Sequence, residues 1–276
     1  MQFNILDSIS DLGSHLKTNE DLIFTDQDLI VVFDGATGLG KKVLPYEYSD
    51  ATWFVRELAK QLKHYWRGDF KEALAKSHDQ TVKAFNLLIK GQTLAAHEYP
   101  STGLVALCKE NGKVVMYRLG DCASFTFTNA VTAIFEKSDL EYLDDISIAK
   151  MQSYIEQGLS FKGARKKLTP TLIKHRSSIN QEGGYQALSL ASSKIGVCEQ
   201  VLITEETEEQ RILLASDGFS ALFHLYKPDL CVDNNVTLKA LLDEIREFEN
   251  NDLNLTLYPR LKPHDDATAV LVLLEK

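Results

Sequence analysis

The sequence predicts a layered α+β domain in which at least part of the sheet is antiparallel. Two long helical patterns follow one another and are succeeded by a run of strands, an order unlike the alternation of a parallel βαβ fold. The apolar segments on either side of Asn111-Gly112 predict a hairpin, because Asn-Gly tolerates positive φ. No Gly-, Ser- or Pro-rich linker divides the 276 residues, so we expect a single domain over residues 1–276.

The predicted strands are short apolar segments that are rich in Val, Ile, Leu, Phe and Thr and bounded by turn residues. In chain order they are Asp28–Phe33, Thr102–Cys108, Lys113–Leu119, Ser124–Thr128, Val131–Phe135, Gln200–Thr204, Arg211–Ala215 and Ala267–Leu274.

The predicted helices have apolar residues at helical spacing. They are Ser49–Trp66, Asp69–Ala96, Asp144–Gln157, Lys162–His175 and Thr237–Glu249. Ser49 and Asp50 are both good N-cap residues for the first of them. The third and fourth predict a helical flap inserted around residues 138–180.

The composition is that of an ordinary globular protein, with 44% hydrophobic and 25% charged residues. The net charge of −9 argues against a nucleic-acid partner. The cysteines form no CxxC pair and predict reduced thiols; they are Cys108, Cys122, Cys198 and Cys231. The first residues lack the features of a signal peptide, and no apolar run is long enough to span a membrane. We therefore expect a cytoplasmic protein without a membrane partner.

The most informative feature is the position of acidic residues at the ends of apolar strands. Asp34 and Asp217 each follow a strand and precede a glycine. Asp121 follows a third strand, while Asp265 and Asp266 immediately precede the last. Because antiparallel neighbours place the end of one strand beside the start of the next, these carboxylates can meet at one end of one sheet. A single Asp-Gly is usually only a turn, so the prediction depends on the whole set.

Such a cluster needs cations, because two unit charges about 4 Å apart repel by about 4 kcal/mol at an effective dielectric constant near 20. The ligands at these strand ends are all oxygens, which favours Mg²⁺ or Mn²⁺ over zinc. Gly35 lets the chain turn sharply after Asp34 and offers its carbonyl as a further ligand.

Six short motifs, in this order, resemble the metal-dependent protein serine/threonine phosphatases of type 2C. They are Asn19-Glu20-Asp21, Val32-Phe33-Asp34-Gly35, Ser101-Thr102, Gly120-Asp121, Ala215-Ser216-Asp217-Gly218-Phe219 and Asp265-Asp266-Ala267-Thr268. The resemblance implies an antiparallel two-sheet β-sandwich flanked by helix pairs, in four α-β-β-α layers. It also implies two Mg²⁺ or Mn²⁺ ions at one edge, a phosphorylated protein as substrate, and a monomer.

The same resemblance implies a role for each acidic residue. Asp34 would bridge both ions and Gly35 would supply its carbonyl. Asp217 and Asp265 would bind one ion and Glu20 the other. Asp21 would orient the attacking water, so that Asp34 and Asp21 are the catalytic carboxylates. Asp121 would serve a third, weaker ion beside Asp217.

The chain departs from the family pattern around the substrate. Ala36 and Thr37 follow Asp34-Gly35, where a His or Met is frequent, and the usual phosphate-binding arginine is missing. Lys17 stands near that position and could bind the phosphate as a point charge, although it cannot contact two phosphate oxygens at once as an arginine does. Asp266 occupies the place of a frequent asparagine, so Asp265 is taken as the ligand and Asp266 as the alternative.

Two other interpretations remain open from the sequence. The chain could be a type 2C-like binding or scaffold module with weak or no activity, which the missing His and Arg favour. Alternatively, Gly35–Lys41 fits the G-x-x-x-x-G-K pattern of a nucleotide-hydrolase P-loop. Against the latter, Lys42 stands where a Ser or Thr should reach Mg²⁺, and Pro45 would clash with the following helix.

Overall fold

Two antiparallel sheets form the centre of the molecule in a computed structural model that describes residues 2–14, 18–127, 131–203, 210–225, 237–252 and 255–275. The strands in these ranges are β1 (Gln2–Asp11), β2 (Leu22–Asp26), β3 (Leu29–Ala36), β4 (Ser101–Glu110), β5 (Lys113–Leu119), β6 (Ala123–Phe127), β7 (Val131–Ala133), β8 (Leu188–Ser189), β9 (Glu199–Ile203), β10 (Gln210–Ala215) and β11 (Ala267–Glu275). The first sheet has the order β1-β11-β10-β6-β7. The second has the order β2-β3-β4-β5-β9, with β8 beside β4.

Four of the helices in the described ranges cover the outer faces of the sheets. The helices are α1 (Asp50–Tyr65), α2 (Phe70–Leu88), α3 (Asp139–Glu156), α4 (Phe161–Ser177), α5 (Asp217–Leu225) and α6 (Leu238–Asn251), with one 3-10 turn at Ala96–Glu98. Of these, α3 and α4 pack on each other. The helices α1 and α2 pack on the second sheet, whereas α5 and α6 pack on the first. This is the four-layer α-β-β-α sandwich predicted in the preceding section, and the fold class is confirmed.

Strand β3 shows how the sequence builds the layers. Val31 and Phe33 belong to the core under α1 and α2, while Ile30 and Val32 point into the core between the two sheets. Both faces of the strand are buried, which is why the segment is a continuous apolar run and not an alternating one. The run carries Asp34, two residues before the strand ends, to the rim of the sandwich.

Helix α1 begins where the N-cap prediction placed it. The Ser49 hydroxyl accepts a hydrogen bond from the amide of Thr52 at 3.0 Å, as an N-cap should. Asp50 has a different role: it is buried and accepts the amides of Val43 at 2.8 Å and Leu44 at 3.0 Å. Asp50 thereby anchors the irregular segment between β3 and α1.

Helix α2 is shorter than predicted. It ends at Leu88, and Lys90 and Gly91 follow with φ of 51° and 79°. This left-handed pair stops the helix, because glycine adopts positive φ without the penalty of a Cβ.

The P-loop alternative is wrong. A P-loop strand leads through its glycine-rich loop directly into a helix of a parallel sheet. Here β3 is antiparallel to both neighbours, β2 and β4, and residues 37–49 are irregular before α1 begins. The glycines have a packing role instead, since a Cβ on Gly38 would lie 1.9 Å from the carbonyl oxygen of Glu98.

Two further expectations can be compared with the described residues. Cys108, Cys122 and Cys198 are free thiols, and Cys231 lies outside the described ranges. Within those ranges, no helix combines the length and the apolar character that a membrane span requires.

Candidate metal centre

The acidic residues come from both sheets and meet at one shared rim of the sandwich. Asp34 and Asp121 lie at the ends of β3 and β5 in the second sheet. Asp217 follows β10 and Asp265 precedes β11 in the first sheet. The prediction that they meet at one end of one sheet is wrong. The reason is that β3 and β10 belong to different sheets, which a strand list cannot reveal.

Asp34 lies at the centre of the cluster. Its Oδ2 accepts a hydrogen bond from the backbone amide of Asp217 at 3.3 Å, which joins the two sheets. Burial raises the pKa of the Asp34 carboxyl well above its usual range, and four neighbouring carboxylates raise it further. Those neighbours are Asp217, Asp21, Asp121 and Asp265.

The pKa values of the neighbouring carboxyls are raised for the same reasons. Burial raises the pKa of Asp217 to about 6, with Asp265 adding to the rise. Burial and the charge of Asp217 also raise the pKa of Asp121. Like charges held together out of water disfavour ionisation, so the cluster is unfavourable at neutral pH without a compensating cation.

Asp21 is 7% exposed, and its Oδ2 is buried without a hydrogen-bond partner among the described residues. Its side chain does interact with Ser216, but burial outweighs this and raises the pKa of the carboxyl. A buried carboxylate oxygen without a partner is costly, and a ligand bound at this rim would satisfy it.

The Glu20 carboxylate is held by Thr37. Its Oε2 accepts the amide of Thr37 at 3.2 Å, and its Oε1 accepts the Thr37 hydroxyl. Gly35 continues β3 opposite Thr102, so the expected sharp turn is wrong. The glycine is needed for close packing, because a Cβ there would lie 2.3 Å from the carbonyl oxygen of Glu20.

Asp265 and Asp266 point to different partners. The Asp266 carboxylate accepts the amides of Gly13 at 2.8 Å and Glu20 at 2.7 Å, which ties the N-terminal segment to the start of β11. Both oxygens of Asp265 instead face the Lys262 ammonium at 2.7 Å. Asp265 lines the cavity beside the cluster, whereas both carboxylate oxygens of Asp266 accept backbone amides.

The backbone around Asp265 is held by a buried ion-pair network. Arg246 on α6 donates to the carbonyl oxygen of Asp265 at 2.9 Å. The same guanidinium donates to Asp11 at 3.0 Å and to Glu249 at 2.8 Å. These contacts fix the segment that leads into β11, and with it the position of the Asp265 carboxylate.

The donor set suits a hard divalent ion. The rim offers carboxylate oxygens only, one of them unpartnered, and the charges of the cluster repel one another. Among the described residues, however, no three His, Cys, Asp or Glu side chains are grouped closely enough to hold a metal ion as they stand. Two of the expected ligands have other partners, because Thr37 donates to Glu20 and Lys262 donates to Asp265.

A cavity of about 830 Å³ opens beside the cluster. Its walls include Asp34, Asp121, Asp217 and Asp265 together with residues of α3 and α4. The sequence analysis missed Asp144 on α3, which lines this cavity; burial and the charge of Asp217 raise its pKa to about 7. No local signal could have found it, because an acidic residue within a helix is usually solvated.

Arg176, near the end of α4, connects the helix pair to the rim. It donates to the Ser101 hydroxyl and, at 2.9 Å, to the carbonyl oxygen of Thr37. The sequence analysis had proposed Lys17 for the phosphate, and Lys17 lies outside the described residues.

Asparagine substitutions should separate the roles of Asp265 and Asp266. Asp265→Asn is expected to weaken Mn²⁺ binding about tenfold or more, because a charged ligand is lost. Asp266→Asn should leave Mn²⁺ affinity nearly unchanged but lower the unfolding free energy by about 1–3 kcal/mol, since its amide group meets a backbone donor. Isothermal titration calorimetry and urea denaturation give the two readouts. The opposite pattern would assign the ligand to Asp266.

A four-layer sandwich with a buried acidic rim between its sheets defines the class of this domain. The family model described as Protein phosphatase 2C matches residues 18–253. The chain therefore belongs to the protein phosphatase 2C family, which confirms the resemblance drawn from the six motifs. No curated protein matches the chain.

Solved structures with the same fold are bacterial serine/threonine phosphatases. PstP/Ppp of Mycobacterium tuberculosis is 16% identical over 100% of both chains, with a TM-score of 0.59. The serine/threonine phosphatase of S. agalactiae is 15% identical over 99% of this chain and 100% of that chain, with a TM-score of 0.58. The catalytic domain of PstP in complex with two manganese ions is 15% identical over 99% of both chains, with a TM-score of 0.56. At these identities the likeness establishes the fold.

Proposed function

We propose that this protein is a metal-dependent phosphatase that hydrolyses phosphoserine and phosphothreonine in proteins. The observation that carries the proposal is the set of partly buried, mutually repelling carboxylates at the rim of the sandwich, beside a cavity large enough for a substrate segment. Membership of the protein phosphatase 2C family and the fold of bacterial serine/threonine phosphatases support it.

The rim residues would hold two Mg²⁺ or Mn²⁺ ions. Their ligands would be Glu20, Asp34, the Gly35 carbonyl, Asp217 and Asp265, and a third ion would lie at Asp121 and Asp217. When bound, such ions polarise phosphoryl oxygens and activate water for attack on phosphorus.

The chain itself would position the reactants. Asp21 presents its unpartnered Oδ2 as an acceptor that could orient the attacking water. Asp34, at the centre of the cluster, would hold the ions between the two sheets, since it already accepts the Asp217 amide across them. Arg176 holds the carbonyl of Thr37, and Thr37 in turn holds Glu20, so the flap helix α4 is linked to a ligand through two hydrogen-bonded residues.

We also propose that residues 138–180 form a flap over the cavity within a single domain. The helices α3 and α4 pack on each other around Met151, Ala164 and Leu168, and they place Asp144, Arg165 and Arg176 in the cavity wall. Cationic groups at the mouth of an acidic site attract the phosphate of a substrate. A phosphorylated protein segment is longer than a free phosphate and would also contact this wall of the cavity.

One observation favours the scaffold alternative. Two expected ligands are held by internal partners, Asp265 by Lys262 and Glu20 by Thr37. A binding module without activity could retain such contacts permanently. An active enzyme must exchange them for metal ions.

Metal-titrated hydrolysis distinguishes the two functions. We expect p-nitrophenyl phosphate and a phosphothreonine peptide to be hydrolysed in the presence of Mn²⁺ or Mg²⁺, and activity to be lost after chelation and restored by added metal. Inactivity on both substrates at saturating metal, with a folded protein by circular dichroism, would refute the enzyme and leave the scaffold.

A further inference from the structure

Lys262 occupies both carboxylate oxygens of a proposed metal ligand. Its Nζ lies 2.7 Å from Oδ1 and 2.7 Å from Oδ2 of Asp265. The Lys262 side chain is 50% exposed and lines the cavity beside the acidic cluster. Asp217 and Asp34 attract the same ammonium. The Lys262 ammonium thus lies where a divalent ion is expected to bind.

Four other cations in the cavity wall have partners away from the proposed ligands. Their contacts are Arg118 with Glu199, Lys137 with Asp145, Arg260 with Asp252, and Arg176 with Ser101 and Thr37. Arg165 lies in the field of Asp144, and its Nη1 is buried without a hydrogen-bond partner among the described residues. Among the described residues, Lys262 is the one cavity cation that forms an ion pair with a proposed ligand.

The contact between Lys262 and Asp265 can be exchanged at little cost. The two residues are three positions apart, and the lysine is half exposed, so the pair contributes little to stability. A divalent ion that binds Asp265 would displace the ammonium. The flexible four-carbon stem would keep that ammonium within the cavity, next to the place where a substrate phosphate enters.

We propose that Lys262 is a phosphate-binding residue of this site and that it pairs with Asp265 only when the metal is absent. The inference rests on the proposed function, because it requires a metal at Asp265. Lys262 would supply the positive charge that the missing phosphate-binding arginine supplies in the family pattern. An ammonium is well suited to this as a point charge with three donors.

The experiment measures two affinities by calorimetry, without reference to turnover. Lys262→Met removes the charge but retains the apolar stem. It is expected to tighten Mn²⁺ binding roughly two- to fivefold, because competition for Asp265 is lost. In the Mn²⁺-saturated protein it should weaken binding of inorganic phosphate roughly tenfold, because a charge-assisted hydrogen bond is lost. Lys262→Arg should keep most of the phosphate affinity.

Lys137→Met is the matched control, since Lys137 lines the same cavity but pairs with Asp145 on α3. It should change neither affinity. Unchanged phosphate affinity in Lys262→Met would overturn the inference, and so would equal weakening in the control, which would indicate only a general charge effect. Failure of the wild type to bind Mn²⁺ would instead refute the metal centre itself, and the inference would fall with it.

Discussion

Asp34→Ala and Asp217→Asn are each expected to lower the metal-dependent kcat for phosphopeptide hydrolysis by about a thousandfold or more. Ion-assisted stabilisation of the reacting groups contributes several kcal/mol, and each 1.36 kcal/mol is a factor of about ten in rate. Asp34 joins the two halves of the rim, so its loss should affect every proposed ion. Asp217 is shared by the proposed sites on either side of it.

The same variants should not be less stable in metal-free buffer. Removing one charge relieves the repulsion that raises the pKa values of the remaining carboxyls. Thermal unfolding in EDTA should therefore give a Tm equal to or above that of the wild type. Saturating Mn²⁺ should then raise the Tm of the wild type but not that of the variants.

Asp145→Asn is the control for both variants. Asp145 lies on α3 and pairs with exposed Lys137, away from the cluster. Its substitution should leave kcat and the Mn²⁺ response unchanged. Full activity in Asp34→Ala, or a large loss of stability in EDTA for both cluster variants, would contradict the assignment of the acidic rim as a metal centre.

Without metal, the protein is expected to lose stability as the pH rises from about 4 to about 7. The pKa of Asp217 is raised to about 6 and that of Asp144 to about 7, in both cases by burial first. The folded state therefore holds protons that the unfolded state releases near pH 4. Stability from these groups is present below that pH and is lost as the pH rises through the folded pKa values, by about 2 kcal/mol or more.

Comparison of Asp144→Asn with the wild type isolates this effect from other titrations. The comparison is needed because His78 also titrates. Burial lowers the pKa of His78, so its protonation in the unfolded state lowers the unfolding free energy as the pH falls below about 6.5. Urea denaturation at pH 5 and pH 7.5 in EDTA should show a smaller loss of unfolding free energy in Asp144→Asn. Asp145→Asn should behave as the wild type does. An identical slope in all three proteins would show that Asp144 ionises normally.

Most strands could be predicted from their apolar residues. β3, β4, β5, β10 and β11 lie close to their predicted bounds, because continuous apolar runs leave few other interpretations, and β6 and β9 lie within one residue of theirs. Strand β1 was missed: none of its residues is fully buried, and as an edge strand it has little apolar pattern. Helix α5 was missed because Asp217-Gly218 was interpreted as a turn.

The site could be predicted in part for a similar reason. Asp34, Asp121, Asp217 and Asp265 stand at the ends of recognisable strands, so their convergence follows from the topology. Lys262, Thr37 and Arg176 lie in loops or on a distant helix. Their contacts depend on how loops cross the rim, which periodicity does not encode. The close approach of Gly35 to the Glu20 carbonyl could not be predicted from the sequence either, although the glycine itself was identified as a candidate site residue.

The pairing of β1 with β11 has a consequence for the order of events during translation. Gln2 lies opposite Glu275, and Asp265 leads directly into the last strand. A ribosome-bound chain can complete the second sheet early, but the first sheet needs β11, which pairs with both β1 and β10. Premature termination before residue 265 would therefore yield a chain without a complete acidic rim.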